Sequence, residues 1–368
     1  MKTVFIGLSG GVDSSVSAAL LKEQGYNVVG VYMKNWSRDL PGFACPWKED
    51  YQDAKRVAVQ LGIEFKVFDF ENEYFNRVVQ YMLDGFTAGL TPNPDIMCNQ
   101  EIKFKLFLDT AIEQGADFIA TGHYAQTKNG KLLVAEDSNK DQTYFLYRVT
   151  KDALNKTLFP IGGYTKPQVR ELAKKYKLVT ATKKESMGIC FVGKVGIKEF
   201  LQQFLPQQPH GDIKNQYGMT IGSHEGAVYY TIGQRHGLSV GGGLPYYVTG
   251  KDMAKNEVYV TTDIQDEKLW NSSIAITSPH WINNISPQSL VSSQELASNY
   301  STSDLRLKTG DSLLVRTRHR GPLTKVTSIK KQGNDYILKL AEPLRALTPG
   351  QSAVLYQKDV CVGGGIIC

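Results

Sequence analysis

One turn near the start of the chain narrows the folds open to it. An apolar run, Val4-Phe5-Ile6-Gly7-Leu8, leads directly into Ser9-Gly10-Gly11-Val12-Asp13-Ser14-Ser15. A helical pattern follows, with Val12, Val16, Ala19 and Leu20 on one face and Gly25 at its end. Strand, glycine turn and helix in that order open a parallel α/β sheet. The alternation continues: strand patterns over 27–33, 64–69 and 117–121 are separated by helical patterns over 51–61, 74–87 and 101–114. Strands joined by helical crossovers predict a doubly wound parallel sheet.

From about residue 206 the texture changes. Glycine, tyrosine and threonine become frequent, and short alternating runs over 312–318, 325–331 and 335–340 predict antiparallel strands. At 368 residues the chain exceeds what one hydrophobic core organises. The division expected is an α/β domain over 1–205, a small linking domain over 206–275 and a C-terminal β-barrel over 276–368. Between Tyr300 and Arg345 ten Lys/Arg face four acids, a surplus of six that equals the whole-chain net charge of +6. A basic segment on a neutral body favours a polyanionic partner such as nucleic acid; a solvated surface is the plainer alternative. The first apolar run is too short for a signal sequence or a membrane span, so a soluble, cytoplasmic protein with no membrane partner is expected. Cys45, Cys98, Cys190, Cys361 and Cys368 form neither a disulfide framework nor the paired spacing of a zinc site. No metal held by protein ligands alone is therefore assigned.

The turn after the first strand has a chemistry of its own. Two glycines let backbone amides turn inward as an anion nest, the helix N-terminus adds partial positive charge, and Ser9, Ser14 and Ser15 supply hydroxyls. A Walker loop would carry a lysine in the turn, and none stands there. The competing reading is a tight turn capped by Asp13 or Ser14. Two cysteines also stand out. Thr91-Pro92-Asn93-Pro94-Asp95-Ile96-Met97-Cys98 reads as a stiff loop that places Cys98 just before a helix starting near Glu101, where a thiol has a lowered pKa. Asp95 is placed for acid–base work. Cys190 lies between Gly188 and Gly193 among apolar neighbours. The residues leave both readings open for each cysteine, a reactive thiol or a buried structural one.

The Ser9–Ser15 pattern resembles the PP-loop ATP pyrophosphatase superfamily, which has an adenine nucleotide alpha hydrolase-like fold. Six further blocks resemble the bacterial tRNA-specific 2-thiouridylases: Asn93-Pro94-Asp95 with Cys98, Thr121-Gly122-His123-Tyr124, Lys140-Asp141-Gln142, Gly188-Ile189-Cys190-Phe191, Thr231-Ile232-Gly233-Gln234-Arg235 and Thr348-Pro349-Gly350-Gln351-Ser352-Ala353. Met187 and His319 depart from that family's pattern. The resemblance implies ATP, with Mg²⁺, at Gly7, Leu8, Ser9, Gly10, Gly11, Val12, Asp13, Ser14, Met33 and Gly122. It implies adenylation of the O2 of a tRNA wobble uridine (position 34), then sulfur transfer giving 2-thiouridine, AMP and pyrophosphate. In that scheme Cys98 is the nucleophile, Cys190 the persulfide carrier and Asp95 the acid/base, with a transient Cys98–Cys190 disulfide. The implied tRNA contacts are Asn93, Pro94, Asp95, Lys140, Asp141, Gln142, Arg318 and His319. The implied partners are the lysine, glutamate and glutamine tRNAs and a cysteine desulfurase or sulfur-relay protein as donor. Another PP-loop adenylating ligase and a non-catalytic RNA-binding protein are the rival readings.

Overall fold

The computed structural model describes residues 1–41, 45–184, 196–238, 240–241, 243–282 and 312–368. The chain forms two compact units: Met1–Gln80 with Pro94–Phe200 and Asp359–Cys361, and Tyr81–Asn93 with Leu201–Lys358 and Val362–Cys368.

The first unit is built on a five-stranded sheet of β1 (Thr3–Gly7), β2 (Asn27–Lys34), β3 (Glu64–Asp69), β4 (Phe118–Ala120) and β7 (Thr157–Leu158), in the order β3-β2-β1-β4-β7. Every pairing is parallel. Val4, Phe5 and Ile6 are buried on both faces, as a strand covered by helices requires. The chain leaves β1 toward β2 on one side and returns to β4 on the other. The carboxyl end of β1 is therefore a switch point, where open α/β sheets bind ligands.

Helix α1 (Val12–Glu23) is buried along most of its length, serines included. The hydroxyls of Ser14 and Ser15 donate to the carbonyl of Gly11, and that of Ser17 to Asp13, so these buried groups are satisfied. One core packs Val4, Ile6, Leu8, Ala18 and Leu21 with Ala54, Val57 and Ala58 of α2 (Trp47–Leu61). Another packs Val12, Val16 and Leu20 with Tyr124, Ile161, Val169 and Ala173. Each large aliphatic side chain so buried contributes about 1.5–3 kcal/mol.

Helix α3 runs without a break through Pro94–Met97, a π-helical stretch Cys98–Leu106, and Phe107–Glu113. It begins well before the expected start near Glu101. Pro94 opens the helix instead of stiffening a loop, because proline's fixed φ and missing N–H suit a first turn. Helix α4 (Lys166–Lys175) begins with a capping box between Thr165 and Gln168. The hairpin β5 (Gln126–Lys128) and β6 (Lys131–Leu133) pairs with Val360 and Cys361, and Cys361 is fully buried.

The second unit holds two antiparallel-rich sheets. One orders β10 (Tyr247–Asp252), β11 (Glu257–Thr261), β8 (Gly211–Lys214) and β9 (Thr220–His224) around Ile213, Tyr230, Val248, Val258 and Val260. The other is a closed β-barrel. Its strands run in the order β12 (Trp270–Trp281), β15 (Asp335–Arg345), β14 (Thr324–Gln332), β13 (Leu313–Arg316), β16 (Ser352–Gln357) and β17 (Val360–Ile367). Pairing of β12 with β17 closes the barrel and removes its edges. No helix among the described residues is long and apolar enough to cross a membrane.

Candidate active site

The turn after β1 is organised by its own polar groups. Leu8 donates its amide to Val31, the Ser9 amide reaches the Ser14 hydroxyl at 3.2 Å, and the two hydroxyls lie 3.2 Å apart. Gly10 takes φ +73°, and a Cβ there would stand 2.4 Å from the Asp50 carbonyl oxygen, so only glycine fits. Gly11 is the N-cap of α1 and no side chain caps it, which leaves the first-turn amides for an anion. The other residues expected here converge on the same place. A Cβ on Gly7 would meet Met33 at 2.8 Å, and one on Gly122 would meet the Ser14 amide nitrogen at 2.7 Å. The end of β1, the end of β2, the segment after β4 and the start of α1 thus share one crevice, and the residues present fit a bound polyphosphate.

Two basic residues that the motif did not reveal stand beside this turn. Lys166, almost wholly buried, places its Nζ 2.8 Å from both carboxylate oxygens of Asp13, and the Tyr124 hydroxyl donates to the same carboxylate at 3.0 Å. Lys183 pairs with Asp50 at 2.8 Å and Asp53 at 2.6 Å on α2. Neither lies near the turn in sequence. The one available signal was the Thr-Lys-Pro-x-x-Arg helix start around Lys166, which carries no chemistry by itself.

Cys98 is the first residue of the π-helical stretch and only 5% exposed. Burial pushes its thiol pKa up; Lys103 pulls it down, Asp95 adds to the rise, and a hydrogen bond from Tyr74 opposes it. The lowered pKa expected from a helix start is therefore reversed. Cys98 sits inside a helix in apolar packing, not in front of one. Burial also raises the Asp95 carboxyl above its usual range, against the pull of Lys103. The π winding, hydrogen-bonded i to i+5, carries Lys103 toward the face of Cys98. His123 packs against the rings of Phe104 and Phe159, which also contact each other, with Nδ1 2.8 Å from the Thr121 hydroxyl, and burial holds it neutral with its pKa well down. Lys103 acts electrostatically on all three groups, the Asp95 carboxyl, the Cys98 thiol and the His123 imidazole. The thiol is protonated at neutral pH.

The expected RNA-contacting residues fall into different settings. Asp141 is buried and accepts from the Ala135 amide at 3.1 Å and from the Thr143 hydroxyl at 2.7 Å, so it organises its loop. Gln142 exchanges hydrogen bonds with the backbone of Tyr124, and Lys140 is half-buried beside them. In the second unit the Thr91 amide donates to Pro349, and the Thr91 carbonyl accepts from Gln351 at 2.9 Å, which fixes the entry to Asn93. Arg318 donates to the Ala346 carbonyl at 2.7 Å and, with Thr231, Gln234, Thr348 and Gln351, lines a pocket of about 310 Å³; His319 is half-buried next to it. Cys190, and with it any approach to Cys98, lies outside the described residues, as do Met187 and the start of the basic segment.

The chain matches three family models in succession: the tRNA methyl transferase HUP domain over residues 2–194, the tRNA methyl transferase PRC-barrel domain over 198–262 and the aminomethyltransferase beta-barrel domain over 271–367. Curated relatives are named tRNA-specific 2-thiouridylase MnmA. One from Listeria monocytogenes is 45% identical over 99% of this chain and 94% of its own length. One from Bacillus subtilis is 45% identical with the same coverage, and one from Staphylococcus carnosus 44%. With that identity along its whole length, and a parallel sheet, middle sheet and closed barrel in the matching order, the chain belongs to the tRNA-specific 2-thiouridylase family of sulfurtransferases.

Proposed function

We propose that this protein replaces the 2-oxygen of the wobble uridine, position 34, of tRNA with sulfur, using ATP. The observation that carries the reading is the pairing, within one unit, of an uncapped glycine-turn helix start with a buried cysteine–aspartate pocket. Phosphate binding alone would suit any adenylating ligase, and a thiol alone would suit a sulfur carrier. Uridine thiolation needs both. The C2 carbonyl is amide-like and its oxygen leaves poorly, so ATP supplies an adenylate that turns it into a leaving group.

The chain's own groups do the rest. The amides at the start of α1 and the Ser9 and Ser14 hydroxyls hold the phosphates, and Met33 and Gly122 border the nucleotide. Asp13 is the acid nearest the phosphates and suits the Mg²⁺ that accompanies ATP. Asn93, Pro94 and Asp95 receive a uridine turned out of its stack. Cys190 carries sulfur as a persulfide, supplied by a cysteine desulfurase or a relay protein. In one route the Cys98 thiolate attacks the Cys190 sulfur, forming the Cys98–Cys190 disulfide and releasing hydrosulfide, which adds at C2 and expels AMP. In the other the terminal persulfide sulfur adds at C2 and expels AMP, and the Cys98 thiolate then attacks Cys190 Sγ, cleaving the S–S bond to leave 2-thiouridine and the same disulfide. Either way an external thiol reductant regenerates both cysteines. Asp95 accepts the Cys98 proton. Lys140 and Arg318 contribute the basic contacts, so tRNA affinity falls as salt rises. The three-part division at 1–205, 206–275 and 276–368 and a cytoplasmic location belong to this reading, as do the lysine, glutamate and glutamine acceptors.

The test is mass spectrometry of nucleosides from unmodified tRNA incubated with enzyme, ATP, Mg²⁺ and a persulfide donor. The expected product is 2-thiouridine, absent without ATP and absent in Cys190→Ser. AMP release with no thiolated nucleoside would move the activity to another adenylating class.

A further inference from the structure

The turn after β1 lacks the lysine that phosphate loops of the Walker type carry, yet an ammonium reaches it from elsewhere. Lys166, at the first position of α4, lies 153 residues beyond Asp13, and its side chain is 11% exposed. Both Asp13 oxygens are 2.8 Å from its Nζ. The Tyr124 ring lies 5.7 Å from the same nitrogen and its hydroxyl holds the same carboxylate. The backbone of Lys166 is fixed independently: its amide donates to Asp137 at 2.9 Å, and the Thr165–Gln168 capping box sets the helix start. The ion pair is not needed to attach α4 to α1, because Val169 and Ala173 already pack against Val12, Val16 and Leu20. A pair this buried gains little net stability over an apolar contact. Its position matters more. Asp13 sits in the first turn of α1, beside amides turned toward an anion, and without Lys166 an arriving phosphate would face an unneutralised carboxylate.

We propose that Lys166 is the phosphate-binding cation of this nucleotide site, paired with Asp13 in the free protein and donating to phosphate oxygens when a polyphosphate enters the turn. Lys166 thus supplies in space the charge that the loop omits in sequence. Release of Asp13 from the pair leaves its carboxylate to a cation accompanying the nucleotide. The inference rests on the ATP reading above.

Isothermal titration calorimetry on the full-length protein without tRNA tests it, using a non-hydrolysable ATP analogue, inorganic pyrophosphate and adenosine as separate probes. Lys166→Gln weakens the ATP analogue and pyrophosphate about 30-fold, ~2 kcal/mol at 1.4 kcal/mol per tenfold, and leaves adenosine within about two-fold; Lys166→Arg keeps most of the affinity. A purely structural lysine would lower the melting temperature of Lys166→Gln but leave the ratio of ATP-analogue to adenosine affinity unchanged, and that result overturns the proposal. Wild-type protein that binds none of the probes overturns the nucleotide reading itself. Should Lys166→Gln fail to fold, the side-chain ¹⁵N resonance of Lys166 in the wild type decides. It shifts with pyrophosphate and not with adenosine if Lys166 meets phosphate, and a resonance indifferent to both contradicts the proposal.

Discussion

The turn after β1 and the π-wound start of α3 belong to the same unit, and they place reactive groups in opposite surroundings. At the turn, charges are answered at once: Asp13 by Lys166 and Tyr124, Lys183 by Asp50 and Asp53, each serine hydroxyl by a neighbour. Around Cys98, burial outweighs every partner. The thiol and Asp95 are both held toward their protonated forms although Lys103 pulls on each, and His123 is held neutral. The first arrangement is ready to receive a charged ligand. The second holds the Cys98 thiol in its protonated form. On the proposed function, binding and chemistry are thereby separated: nucleotide enters without exposing a reactive thiolate to water.

The largest break in this comparison comes from Gly122→Ala. The added methyl would stand 2.7 Å from the Ser14 amide nitrogen and 2.9 Å from the Asp13 carbonyl carbon. It displaces the start of α1, and AMP formation falls on the order of 10²-fold. Iodoacetamide labelling of Cys98 in the same variant stays within about two-fold of wild type, because the pocket is built by α3. Labelling that changed as much as AMP formation would join the two sites.

A smaller effect sharpens the second half. Alkylation of Cys98 followed by peptide mass spectrometry is slow at pH 7 and still rises above pH 9, since the raised thiol pKa delays thiolate formation. Asp95→Asn removes a negative neighbour and speeds labelling several-fold, and Lys103→Met slows it several-fold. Equal rates in both variants would mean burial alone sets the thiol. Asp95→Asn also raises the melting temperature at pH 7. A carboxyl whose folded pKa is raised contributes stability below its unfolded pKa and loses it as pH climbs through the folded value.

The smallest effect is a control in the second unit. Burial lowers the Lys251 amine to about 8 from 10.5, with Nζ donating to the Tyr230 carbonyl at 2.9 Å. The unfolded chain binds the proton more tightly, so folding stability rises between pH 8 and 10.5. Lys251→Met flattens that rise by on the order of 1–3 kcal/mol in denaturant melts. It leaves AMP formation unchanged.

The same contrast explains what the sequence made legible. The strand–turn–helix, the parallel sheet and the glycines of the turn are local patterns, and strand order points to a crevice at the end of β1, whereas Met33 and Gly122 are singled out only through the family resemblance. Lys166 and Lys183 escaped notice because nothing local marks a lysine that acts 153 residues away through helix packing. The Cys98 environment was misread for a related reason. Two prolines signalled a loop, whereas Pro94 is the first residue of a helix, and a thiol's pKa depends on packing that no spacing encodes. Asp141 and Gln142, which the resemblance marked as tRNA contacts, use side-chain oxygens to hold the Ala135 and Tyr124 amides, an internal role no spacing encodes.

The separation of nucleotide binding from sulfur chemistry is tested most directly by a single turnover of Cys98→Ser. With ATP, unmodified tRNA and a persulfide donor, AMP and 2-thiouridine are measured in the same quenched samples. The account predicts AMP formation within several-fold of wild type and a loss of 2-thiouridine on the order of 10³-fold or more. Thiolation at the wild-type rate, or loss of AMP together with the thiolated product, would contradict it.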